Sequence, residues 1–378
     1  MKKQACASLL TACVLMFSAC SAEMQQEQEA EEFQREPNAI TLLEQQDRRV
    51  EWKPESKVSV KKGISPVTGL KSSASYNPVL VELNNENGGV YVTAPTGITE
   101  ADFIYEYQTK TDGSMGMCAL FNSAVPDNVG PMGNASVGGI LLQSEWGCGY
   151  VYTKIPTEQD GSVSELGYSI SSWISNAGLA PGSDIFPGDV SSVKGWKKYI
   201  KEDKSMIVDE NQFVDVSGIK KILESGKHQA KPCAFKFLTD TEKEVSDIPV
   251  VEVDIRTASK TFSSGFVYDK DSKVYRRWVG VNNQYGDADA QEQLGVSNLI
   301  IQRITYTTSN KNMAPNVIGC GNADIFMLGS YIEGYWVREK EEDRTAFYDA
   351  DGNLISLAPG TTFVSLLSNS TPVVIYDY

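Results

Sequence analysis

The chain has 378 residues, which by length alone means about two domains. Its 41% apolar and 22% charged residues are a globular composition, neither that of a disordered polymer nor that of a polytopic membrane protein. Thirty-four basic against 49 acidic residues leave a net charge of −15, which argues against non-specific binding to nucleic acid or to an acidic membrane surface. The single histidine, His228, excludes a multi-histidine metal site.

The first 19 residues read as an export signal. Lys2 and Lys3 supply a positive start, and residues 5–19 are almost entirely small or apolar, too short a run to span a bilayer comfortably. The run ends in Phe17-Ser18-Ala19-Cys20, which looks like the lipobox of bacterial lipoproteins, with Cys20 as the residue that carries diacylglycerol. Two acyl chains hold a protein at a membrane far better than one. Leu10-Thr11-Ala12-Cys13 also fits, but cleavage there leaves a very short apolar core, so Cys20 is favoured. A plain secretory signal or an uncleaved anchor is the remaining reading. Cleavage before Cys20 removes two lysines and no acids and takes the net charge to −17. Four cysteines then remain besides Cys20: Cys118, Cys148, Cys233 and Cys320. In an exported protein they allow two disulfides in three connectivities, or four free thiols; Cys118 with Cys148 is the first pair to consider. No CxxC pair exists, which argues against a zinc ribbon.

Residues 20–60 are rich in Glu, Gln, Lys and Arg and read as the lipidated cysteine and a flexible acidic tether. Ser65-Pro66-Val67-Thr68-Gly69-Leu70 opens the globular part. Residues 78–83 read as a buried strand, 99–102 as a helical turn, and 103–107 as an aromatic strand. Asp112-Gly113 predicts a hairpin turn returning as a strand over 115–121. Helices are expected over 136–146 and 164–177, and a third over 218–225 with Ser217 as its N-cap and Gly226 as its stop. From about 231 the pattern is β-rich. Val251, Val253 and Ile255 alternate with charged residues, the period of a half-buried strand. Hairpins are expected around residues 269–273 and 349–353, with strands over 299–306, 362–367 and 373–376. The boundary falls near residues 226–232, giving an N-terminal α+β domain over 61–228 and a β-rich C-terminal domain over 229–378.

Catalytic signals are weak. Asp287-Ala288-Asp289, Asp269-Lys270-Asp271 and Asp349-Ala350-Asp351-Gly352 look faintly like calcium loops, but none has the full ligand series, and turn chemistry explains them. No Walker A, GxGxxG or GxSxG motif is present. Gly319-Cys320-Gly321 has no histidine or lysine beside it to activate a thiolate. Six Trp and seventeen Tyr could supply a carbohydrate-stacking face, though most fit a core, Trp278 and Trp336 among them.

From Ser65-Pro66-Val67-Thr68-Gly69-Leu70 onward the sequence resembles the YerB-like lipoproteins, an uncharacterised family of bacterial surface lipoproteins. The resemblance continues through Asn77-Pro78-Val79-Leu80-Val81, Gly97-Ile98-Thr99-Glu100-Ala101-Asp102-Phe103-Ile104-Tyr105-Glu106, Ala119-Leu120-Phe121 and Gly130-Pro131. In the second half it includes Tyr275-Arg276-Arg277, Asp289-Ala290-Gln291-Glu292-Gln293-Leu294, Asn298-Leu299-Ile300-Ile301-Gln302, Gly329, Gly334, Trp336, Asp351-Gly352-Asn353 and Pro359-Gly360. It implies an α+β architecture: a layered β-β-α sandwich-type N-terminal domain and a smaller β-rich C-terminal domain. It brings no established reaction. This chain departs from the family pattern where arginines are expected, at Ser114-Met115-Gly116, Gly133 and Ser136. It also departs where a histidine is expected, at Glu210-Asn211. An Arg/His cluster would bind an anion, because guanidinium forks match phosphate and carboxylate; here that cluster is missing.

The family-pattern positions Asp102, Tyr105, Glu106, Arg277, Asp289 and Asn298 are the candidate ligand-binding residues. The leading expectation is a lipid-anchored, extracytoplasmic binding or scaffold protein, with no cofactor and no metal, whose partner besides the bilayer is an envelope polymer or protein. An enzyme acting on envelope carbohydrate or an anionic ligand is the alternative, with Asp102, Glu106 and Asp289 as candidate acid/base groups. A helper in secretion or assembly of envelope proteins is a third.

Overall fold

The computed structural model describes residues 38–42, 58–85, 95–156, 169–191, 194–204, 211–226, 230–239, 248–257, 263–280, 283–287, 290–309 and 312–377. The signal, Cys20 and most of the expected tether lie outside these residues, as do His228 and Asp289. In chain order the first half contains β1 (Asn38–Leu42), β2 (Val79–Leu83), β3 (Phe103–Gln108), β4 (Met115–Phe121), α1 (Val137–Trp146) and β5 (Gly149–Tyr152). There follow α2 (Ile170–Asn176), β6 (Ile185–Pro187), β7 (Ile200–Glu202), β8 (Gln212–Val214) and α3 (Val216–Ser225). The second half contains β9 (Glu252–Ile255), β10 (Ser264–Asp269), β11 (Val274–Val279) and four two-residue strands, β12 (Asn283–Gln284), β13 (Gly286–Asp287), β14 (Glu292–Gln293) and β15 (Gly295–Val296). It closes with β16 (Asn298–Ser309), β17 (Asn312–Asn316), β18 (Gly319–Met327), β19 (Ser330–Arg338), β20 (Ala346–Asp349), β21 (Thr362–Ser368) and β22 (Val373–Asp377).

The architecture is a three-layer α+β sandwich. An 11-stranded sheet runs β20-β19-β18-β16-β21-β3-β4-β2-β5-β6, with β17 paired to β16. A 7-stranded sheet runs β1-β22-β9-β10-β11-β12, with β15 paired to β11. Strand periodicity assigns the faces. Val79 and Val81 of β2, with Ile104 of β3, turn toward the smaller sheet and pack with Val253, Phe266 and Tyr275. Leu80, Phe103 and Leu120 turn the other way and pack under Ile140, Leu142 and Trp146 of α1. The large sheet is therefore buried on both faces, which is why its central strands read as apolar runs rather than as alternating patterns.

The joint between the halves is not at the linker. Strand β21, near the C-terminus, lies between β16 and β3 and is parallel to both, Phe363 facing Ile104 and Leu299 across the ladders. The division placed near residues 226–232 separates the chain but not the sheet, and both cores draw on residues from either side of it.

Local signals are met with some shifts. α1 starts at Ser136, whose side chain accepts from Gly139 N–H, and ends at Gly147 in the left-handed region (φ 53°). The third helix begins two residues earlier than expected and its N-cap is Asp215, not Ser217: Asp215 Oδ1 accepts from Gly218 N–H and also holds the Ser217 hydroxyl. A carboxylate is the better acceptor at a helix N-terminus. Residues 38–42, inside the stretch expected to be a flexible tether, form β1 against β22, with Leu42 buried and its carbonyl held by Arg303. The short apolar run Ala39-Ile40-Thr41-Leu42 has the β-propensity that the acidic residues before it lack. Asp269 and Asp349 serve as turn residues, each accepting backbone N–H groups from two residues onward. Cys118, Cys148, Cys233 and Cys320 form no disulfide, so the Cys118–Cys148 bridge is not met, and only Cys118 and Cys148 are buried. No helix among the described residues is long and apolar enough to cross a membrane.

Candidate functional site

Two of the six candidate residues meet. Glu106 shares the Ile104 face of β3 and points at the smaller sheet, while Arg277 alternates inward on β11 with Tyr275 and Val279. Arg277 Nη2 donates to Glu106 Oε1, and both side chains are almost wholly buried, 1% and 2% exposed. Arg277 Nη2 also donates to Ser264 Oγ at 3.1 Å, and its guanidinium lies 4.1 Å from the Tyr285 ring centroid and 4.8 Å from that of Phe363. Asn85 Nδ2 reaches Glu106 at 3.5 Å. Burial pushes the Glu106 carboxyl up from the usual range, and the Arg277 charge pulls it partly back. The pair thus ties the two sheets together across the first core.

Three others, Asp102, Tyr105 and Asn298, are held elsewhere, and Asp289 lies outside the described residues. Asp102 Oδ2 accepts the backbone N–H groups of Asn122 (2.6 Å) and Ser123 (2.7 Å), fixing the end of β4; burial raises its carboxyl. The Tyr105 hydroxyl accepts from Trp146 Nε1 at 3.0 Å on the helical side of the sheet. Asn298 bonds Ala358 through both its amide groups and reaches Thr362 Oγ1 at 3.0 Å, pinning the entry to β21.

A second buried polar group centres on Glu82, on the α1 side of β2. Its Oε1 accepts from Tyr107 (2.6 Å), and its Oε2 from Tyr150 (2.5 Å), Ser136 (3.1 Å) and Cys118 (3.1 Å). Desolvation raises its carboxyl despite these four donors, and burial pushes the Cys118 thiol well up, so that thiol is not an activated nucleophile. Two of the positions where the resemblance leads to the expectation of arginine stand here. Ser136 donates to Glu82, and a Cβ on Gly133 would lie 3.2 Å from Glu82 Cγ. Neutral hydroxyl and thiol donors thus surround a carboxylate where guanidinium groups were expected.

The third feature was not read from the sequence. A cavity of ≈ 240 Å³ opens beside β20, the edge strand of the large sheet. Val337, Phe347, Leu354 and Leu357 supply apolar wall, and Phe235 and Arg344 complete it. Arg344 stacks on Trp146, 3.2 Å from the ring centroid, with Phe235 at 5.7 Å. Its Nη2 donates to the Tyr76 hydroxyl at 2.9 Å, while its buried Nε and Nη1 meet no acceptor among the described residues. The neighbouring Arg338, also on the wall, is satisfied by Glu145, Leu141 O and Glu341 O. Arg344 sits in the run Glu339-Lys340-Glu341-Glu342-Asp343-Arg344, which reads as a solvated charge run; the aromatic alternation Phe235-Lys236-Phe237 was the available clue to a packed segment. A second cavity, ≈ 310 Å³, lies between α1 and α2 near Trp173 and Glu341.

This geometry, two facing sheets with α1 and α2 on the far side of the larger one and a second half rich in antiparallel strands, carries a recognisable C-terminal domain. Residues 252–364 match the family described as "Protein of unknown function (DUF3048) C-terminal domain". Among solved structures, the crystal structure of the YerB protein from Bacillus subtilis is similar to this chain with a TM-score of 0.62 at 19% identity, covering 80% of this chain and 96% of that one. None of the curated proteins matches. The domain match and the shared fold are consistent with the YerB-like resemblance of the sequence, and the α+β architecture with a β-rich C-terminal part is as expected.

Proposed function

We propose that the protein is a lipid-anchored, extracytoplasmic, non-catalytic binding protein of the cell envelope. The observation that carries the reading is the state of the candidate carboxylates. An acid/base mechanism needs two of them converging on one cleft. Asp102 and Glu106 are instead buried at separate places, one holding the Asn122 and Ser123 N–H groups, the other paired with Arg277. The cavity beside β20 supplies a concave, mostly apolar site with a few placed polar groups, the form of a binding pocket. The anchor rests on the lipobox before Cys20 and would leave the folded part outside the membrane.

The test is made in cells producing the full chain or its Cys20→Ala variant. Incorporation of labelled fatty acid and membrane fractionation are expected for the first and lost in the second. Mature protein should then bind saturably to an envelope polymer or retain one protein from a membrane extract. Turnover of an envelope polymer, abolished by a point substitution, would overturn the non-catalytic reading; an unlabelled wild-type chain would overturn the anchor.

A further inference from the structure

The cavity beside β20 has a chemistry that narrows its ligand. We propose that it binds a small monocarboxylate bearing one aromatic or branched apolar group, the carboxylate on Arg344 and the apolar body against the β19–β20 wall. The inference rests on the binding reading above and names the ligand class for its site.

Size sets the body. An apolar cavity of about 150 Å³ accepts benzene. At ≈ 240 Å³ this one has room for a ring and a short acid chain, and little more. The wall sets the character: Val337, Phe347, Leu354 and Leu357 offer no hydrogen bonds through their side chains. Arg344 sets the head group. A guanidinium carries five N–H donors. Tyr76 takes one of the two protons on Nη2. The other Nη2 proton, with that of the neighbouring nitrogen, makes a two-pronged fork of the kind that carboxylates match. Nε and Nη1 are buried and have no acceptor among the described residues, so the fold leaves them without a protein partner and a carboxylate would have to reach them from the cavity side of the guanidinium. The Trp146 face fixes the plane of the guanidinium. Exposed Lys236 is on the same wall; Glu339 and Asp343 are there too, so a second anionic group on the ligand would be repelled, which favours a monocarboxylate.

The experiment titrates the full-length mature protein with 3-phenylpropionate and with 3-phenylpropionamide, read by calorimetry and by protein NMR shifts. Saturable binding of the acid is expected, at least tenfold tighter than the amide. Arg344→Met should weaken the acid at least tenfold and abolish its advantage over the amide. Because Arg344 also packs on Trp146, a second variant, Leu354→Trp, fills the cavity from the opposite wall and should abolish binding of both compounds while Arg344 stays in place. No saturation by the acid at millimolar concentration, equal binding of acid and amide, or undiminished binding by folded Leu354→Trp each overturns the proposal. Acylation at Cys20 and retention of an envelope partner could still hold in that case, so the two readings fail separately.

Discussion

Removing one partner of the Arg277–Glu106 pair should cost far more than removing both, and the two single losses should respond differently to pH. With both side chains at most 2% exposed, neither charge can turn to water once its partner is gone. Glu106→Leu strands a guanidinium that cannot lose its proton, at a cost of about 3–5 kcal/mol near pH 5, and because it also removes a carboxyl that burial raises, that cost should not grow as the pH climbs to 8. Arg277→Met strands a carboxylate, which can escape by protonating. Its folded-state pKa, already raised by burial, rises further without the arginine. A carboxyl raised in the folded state contributes stability that is complete below its unfolded value and lost as pH climbs through the folded one. Arg277→Met should therefore cost about 3–5 kcal/mol at pH 8 and recover by up to ~1.4 kcal/mol per unit as the pH falls toward 5. The double variant Glu106→Leu/Arg277→Met should lie within about 1–2 kcal/mol of the wild type, the loss of the stacks on Tyr285 and Phe363 included. Urea denaturation of the four proteins at pH 5, 6.5 and 8 measures all of this. Single losses below ~1 kcal/mol that simply add in the double variant, or a pH-independent Arg277→Met, would refute the argument that this buried pair ties the sheets.

Gly139→Ala should destabilise by ~1–3 kcal/mol although alanine is the better helix former, because its Cβ would overlap the Tyr150 hydroxyl and lie 2.5 Å from Glu82 Oε2; thermal unfolding gives the sign. Glu82→Gln removes a carboxyl that burial raises, so the variant should gain on the wild type as pH rises from 5 to 8; a flat difference in urea midpoints would contradict the assignment. Leu42→Ala should cost about 2 kcal/mol by loosening β1 from β22, and hydrogen exchange should show faster opening at β22. Alkylation mapped by mass spectrometry should label exposed Cys320 first and half-buried Cys233 next, reaching Cys118 and Cys148 only on unfolding, because burial shields both thiols and raises their pKa values.

The sequence carried the elements better than the assembly. Strands β2, β4 and β21 were legible as apolar runs of strand length, and α1 as an apolar stretch over 136–146 despite its two glycines. The hairpin β18–β19 was missed: its strands begin with Gly-Cys-Gly and Ser-Tyr, and glycine at 321 and 334 blurs the β pattern although close backbone approaches, 2.6 Å from Arg303 O at the first, require it. The pairing of Glu106 with Arg277 needs the two sheets to face each other, which no local pattern encodes. Only the family resemblance placed both on one list, beside Asp102, Tyr105 and Asn298, which the fold uses to pin strand ends and pack the core. Arg344 escaped notice because its acidic neighbours mask it, and only the packing of Phe235 and Trp146 lifts it out of that charge run.

The place of β21 has a consequence for how the molecule comes into being. A strand that sits mid-sheet yet follows in the chain both of the strands it joins delays completion of the sheet. Until residue 368 is available, β3 and β16 each lack a parallel neighbour and expose a row of unpaired N–H and C=O groups. Pairing of strands some 260 residues apart is also slow to find. The large sheet therefore stays unconsolidated until β21 is in place. Truncation anywhere before Thr362 should leave not a smaller folded domain but two open half-sheets prone to pair with other copies.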